Sequence, residues 1–131
     1  MARLALLLAL CAALVVSACG GGDDRAEVKQ TVRDFVTATN SRDGDKLCDD
    51  LLTQDYLEKA TGATGDEARK ACKQQLGLIT GLKLRLIEVG EPKIDGDSAT
   101  VRATIATGSQ QTPRRFRLHK EDGGWKLASG S

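Results

Sequence analysis

Residues 79–105 read ITGLKLRLIEVGEPKIDGDSATVRATI. At Gly81 the hydrophobic period changes to two: Leu82, Leu84 and Leu86 alternate with Lys83 and Arg85. Alternation of this kind puts the apolar side chains on one face of a strand. At Ile87 the phase slips, because Ile87 and Val89 are apolar and Glu88 is polar. An extra residue in the strand restores the pattern, so a bulge is predicted there. IDGD (94–97) then reads as a tight turn, and Ala99, Val101, Ala103 and Ile105 alternate with Thr100, Arg102 and Thr104.

Toward the C-terminus the pattern repeats. TGSQQT (107–112) is a turn, and Phe116 and Leu118 alternate with Arg115, Arg117 and His119. EDGG (121–124) centres a hairpin on Asp122-Gly123, and Trp125 and Leu127 complete the sheet. Toward the N-terminus the period is helical. Asp24 and Glu27 make a capping pattern, followed by a stripe of Val28, Val32, Phe35 and Val36. NSRDGD (40–45) breaks that helix. A second helix from about Asp45 carries Leu47, Cys48, Leu51 and Leu52, and DYLEKA (55–60) is a turn or short helix. Thr64 and Glu67 cap a third helix with Ala68, Ala71, Cys72, Gln75, Leu76 and Ile79 on its apolar side. Three helices followed by about four antiparallel strands define an α+β domain.

The front of the chain is different. Leu4 to Val16 is an uncharged apolar run behind Arg3, too short to span a bilayer, which takes about 20 residues. It fits a signal peptide. VSAC (16–19) resembles the lipobox of bacterial lipoproteins, with Val16 where leucine is usual. That resemblance implies cleavage before Cys19 and a diacylglyceryl group on its thiol. The alternative is an ordinary secretory signal with Cys19 free. Residues 1–18 are thus expected as signal peptide, 19–24 as lipidated Cys19 and a glycine tether, and 25–131 as the globular domain. The expected location is the extracytoplasmic face of the cell membrane.

Removing residues 1–18 from the 131-residue chain leaves 113, suited to one domain. Arg3 is the only charge removed, so 18 basic side chains balance 18 acidic ones. That balance offers no basic footprint for nucleic acid. Cys48 and Cys72 remain as a pair in an oxidising compartment, which predicts a disulfide. Metal binding wants closer ligands, and the one histidine is His119. No metal or cofactor is expected.

RDGDKLCDDLL (42–52), DGDSATVRATI (95–105) and GGWKLAS (123–129) together resemble small secreted members of the nuclear-transport-factor-2-like superfamily, over about residues 25–128. The resemblance implies a cone, in which a curved antiparallel sheet wraps three helices and can leave a pocket. The superfamily contains isomerase-like and cyclase-like enzymes and many non-enzymes, so the fold alone assigns no chemistry.

The inward strand positions are expected to be Leu82, Leu84, Leu86, Ala99, Val101, Ala103, Ile105, Phe116, Leu118, Trp125 and Leu127, none of which titrates. His119 falls on the opposite face. Tyr56 reads as a rim residue and Asp34 as solvent-facing. Asp45, Asp49 and Asp50 lack calcium-loop spacing. Lys83, Arg85, Arg102, Arg115, Arg117 and Lys126 are expected on the outer face of the sheet. Such a face suits anionic lipid headgroups or an acidic partner. Equally, long cationic side chains keep an exposed sheet soluble. The expectation is a membrane-anchored, non-catalytic module binding a small apolar ligand or an envelope protein. The alternatives are an isomerase- or cyclase-like enzyme using the cone pocket, and a purely structural envelope lipoprotein.

Overall fold

The computed structural model describes residues 21–130. Helix α1 is Gly21–Ser41, a π-helical segment covers Asp45–Leu51, α2 is Gln54–Thr61 and α3 is Gly65–Leu78. The strands are β1 (Leu84–Val89), β2 (Lys93–Asp95), β3 (Ser98–Thr107), β4 (Gln110–Glu121) and β5 (Gly124–Gly130). They form one antiparallel sheet in the order β1-β3-β4-β5, and β2 pairs with the start of β3 on the β1 side. The architecture is the expected α+β cone. It has five strands where about four were expected, because β2 is too short for its alternation to register against the IDGD turn. The helical layer has four segments instead of three.

In α1, Val28, Val32 and Val36 are buried against the sheet, as the stripe requires. The helix includes Gly21 to Asp24, which the sequence reading placed in the tether. Its first turn is tied to the sheet through Asp24. That carboxylate accepts hydrogen bonds from Trp125 Nε1 and from Lys120 Nζ, each at 3.1 Å. An acidic group at a helix N-terminus also complements the helix dipole.

Cys48 and Cys72 form a disulfide with Cα atoms 6.1 Å apart. It links the π-helical segment to α3, with Cys48 fully buried in the core. Thr64 stands at the N-cap of α3, but its side chain makes no capping bond. Glu58 supplies the acceptor instead, taking the Gly65 N–H at 3.0 Å.

The predicted bulge is present: the β1–β3 register shifts between Leu86 and Glu88, and Ile87 turns to solvent. Leu82, expected inward, is exposed. Leu84 already pairs with Thr107, the last residue of β3, so no strand remains for Leu82 to pair with. Ile79 likewise is exposed beyond the end of α3. Between β1 and β2 the chain hugs β3, with Gly90 N–H donating to Arg102 O at 2.8 Å. A Cβ at Gly90 would meet that same oxygen at 3.2 Å.

The outer edge of β5 is covered. Leu52 bridges Leu127 in parallel, and Thr53 N–H donates to Leu127 O at 3.0 Å. Covering an edge in this way removes a template for strand addition.

Candidate functional site

β5 pairs with β4 only from Phe116 onward, so the first half of β4 overhangs as an edge on that side. This explains how Pro113 is tolerated in the strand. Below the overhang lies a cleft of about 220 Å³ between the sheet and helices α1 and α2. One wall is apolar, made by Phe35 of α1, Leu84 of β1, Ile105 of β3 and Phe116 of β4. The rings of Phe35 and Phe116 lie 5.9 Å apart at 60°, within the usual range for a tilted aromatic pair. The polar side is made by Tyr56 of α2, Thr107, Thr112 and Arg114. Gly130 closes the end of β5 against Phe116, whose ring would sit 3.2 Å from a Cβ there.

Asn40 of α1 fastens the strand at the cleft's edge. Its side-chain amide donates to Leu84 O at 2.8 Å, and its carbonyl accepts from Leu84 N–H at 2.7 Å. Asn40 thereby acts as a strand partner for the start of β1 and fixes Leu84 at the rim.

Arg114 corrects the expectation of an inward face without ionisable side chains. It pairs with Ala103, a buried inward residue, and stands two residues before the buried Phe116. Counting back by two from Phe116 would have found it, but TGSQQT was read as a turn reaching Thr112. The turn is shorter, and β4 starts at Gln110. Tyr56 is at the rim, as expected, and its ring lines the cleft. The other inward positions, from Ala99 to Leu127, are buried.

On the convex face Lys83, Arg85, Arg102, Arg115 and Arg117 are all exposed. Arg102 and Arg115 stand directly opposite one another on β3 and β4. Lys126, placed by the sequence reading on this face, is instead buried to 8% exposure. The π-helical segment packs over it. Its Nζ donates to Asp49 O at 3.3 Å and lies 3.6 Å from Asp122. A cation so neutralised adds nothing to the basic face.

The remaining candidates take structural places. His119 is exposed on the outer face, with Nδ1 3.4 Å from Ser98 Oγ. Asp34 accepts from Gln30 within α1. Asp45 and Asp49 grip Lys73 Nζ at 2.9 and 3.0 Å, and these contacts raise the lysine's pKa above its ordinary value. Among the described residues no group of three His, Cys, Asp or Glu side chains could hold a metal ion. Cys19 and the signal segment lie outside the described residues.

No protein-family model matches the chain, and no curated protein matches it. Solved structures do. A protein named as a candidate aromatic ring hydroxylase from Novosphingobium aromaticivorans superposes with a TM-score of 0.60 at 17% identity, covering 85% of this chain and 88% of that one. An NTF2-like protein from Cytophaga hutchinsonii gives 0.58 at 18% identity, over 86% and 96%. A candidate scytalone dehydratase from Novosphingobium aromaticivorans gives 0.53 at 16%, over 83% and 87%. The fold is that of the nuclear-transport-factor-2-like proteins.

Proposed function

We propose that this protein is a lipoprotein held at the extracytoplasmic face of the membrane by Cys19, and that its folded domain binds a small, largely apolar ligand in the mouth of the cone. The anchor rests on the apolar run ending in VSAC (16–19). Two acyl chains on one thiol give firm attachment, at about 0.8 kcal/mol for each buried methylene. Metabolic labelling with a fatty acid should tag the protein, and Cys19→Ser should abolish the label. A label that persists in the variant would remove the anchor.

The binding reading rests on the cleft, whose apolar wall is organised around the Phe35–Phe116 pair. Concave, mostly apolar sites with a few placed polar groups are what ligand pockets look like. The ionisable side chains lining it are Tyr56 and Arg114. A guanidinium stays protonated at any working pH, so it suits holding charge better than moving protons. The enzyme names of two fold neighbours belong to those proteins, and at 16–17% identity the likeness extends to the fold.

Indole, a neutral apolar probe, tests the cleft. Saturable shifts at the ring resonances of Phe35, Tyr56 and Phe116 are expected. Leu84→Trp, which fills the mouth, should remove them. Shifts that do not saturate, or that survive the substitution, would overturn the pocket.

A further inference from the structure

We infer that the ligand of the cone mouth is an anion: a small organic acid whose carboxylate meets Arg114 while its apolar part lies on Phe35 and Phe116. This deepens the binding reading above and rests on it.

Three observations converge on Arg114. First, its register places it on the concave side, where its exposed side chain lines the cleft while also bordering the groove of Arg102, Pro113 and Arg115. Its partner Ala103 is inward, and its neighbours in the chain, Pro113 and Arg115, belong to the opposite face by strand alternation. Second, among the described residues it enters no ion pair, like Arg85, Arg102, Arg115 and Arg117 of the sheet and unlike Lys46, Lys59, Lys70 and Lys73 of the helical layer, so its charge is available to a ligand. Third, Thr107, Thr112 and Tyr56 line the same cleft and bring hydroxyl groups to it. A planar guanidinium with hydroxyl donors nearby is a carboxylate-binding set, able to take both oxygens at once.

The volume sets the size of the acid. A cavity of about 150 Å³ accepts benzene. The cleft's 220 Å³ therefore holds one ring or a short aliphatic chain together with the carboxylate. The apolar wall disfavours an all-polar anion such as free phosphate, because burying that wall against a hydrated ion gains no apolar contact. An arginine that merely snorkels from the rim would place its charge in water and show no preference for a ligand's charge. That difference can be measured.

3-Phenylpropanoate and its neutral amide, 3-phenylpropanamide, are titrated into the purified protein, with the same ring resonances read out. The acid should bind at least about tenfold more tightly than the amide, as a charge-assisted hydrogen bond warrants. Arg114→Gln should erase the difference. Arg115→Gln makes the same change of charge one residue away on the outer face, and should preserve it. Equal affinities for acid and amide, or equal effects of the two substitutions, would overturn the anion preference while indole binding leaves the pocket standing. Failure of indole to bind would overturn both.

Discussion

Asp24 shows how much one side chain can organise. It receives the Trp125 indole N–H and the Lys120 ammonium, and the same ammonium lies 5.3 Å from the centre of the Trp125 ring. Helix, strand and hairpin are joined at one carboxylate. The Trp125 hydrogen bond, followed by that from Lys120, holds the Asp24 carboxyl below the usual carboxylate range. A carboxyl depressed in the folded state contributes stability that is complete above its unfolded value, about 4, and that is lost as the pH falls through the folded value. The urea midpoint should therefore fall as the pH drops below about 4. Asp24→Asn should start from a lower midpoint at neutral pH and show a shallower acid decline. An acid profile identical in wild type and variant would refute the assignment. Arg114 and Lys126 make the complementary point. Both sit in alternating strands, yet one faces the cleft and the other is enclosed by a neighbouring segment.

At the scale of elements, the disulfide cross-links the helical layer, joining the π-helical segment to α3. It closes a loop of 24 residues that contains α2. In the chain-entropy model such a cross-link stabilises by about 3 kcal/mol. Replacing both cysteines, as in Cys48→Ala with Cys72→Ala, should lower the unfolding free energy by about that amount, measured by urea denaturation without reductant. A loss within experimental error of zero would show that the unfolded chain is restrained by other means. The sheet elements divide the labour differently. β3 and β4 are the long strands, and their staggered ends matter most. β4 outruns β5 by six residues, Gln110 to Arg115, and this overhang forms the roof of the cleft. The adjoining end of β1 is tied by Asn40, a side chain from the last turn of α1.

Over the whole molecule, charge is segregated by layer. Cations of the helical segments are largely paired with carboxylates, while Arg85, Arg102, Arg115 and Arg117 of the sheet enter no ion pair among the described residues. The overall balance hides this, because acidic residues gather on the helices and hairpin tips. Alternation in 79–105 determined β1, β3, the bulge near Ile87 and the inward apolar set apart from Leu82, though not the short β2, and the 3.6-residue stripes determined α1 and α3. Those patterns reflect burial on one face, which is local in sequence. Cysteine count and compartment were enough to predict the Cys48–Cys72 bridge. The cleft was not legible in the same way. Where β4 begins, how far it passes β5, and which segment covers Lys126 depend on strands and loops that are distant in the chain. Sequence periodicity gives the face on which a side chain lies. Only tertiary structure decides what stands over that face, since burial there is supplied by residues remote in sequence. For this protein, that placed one arginine, among hydroxyl-bearing side chains, opposite the apolar wall of the cleft.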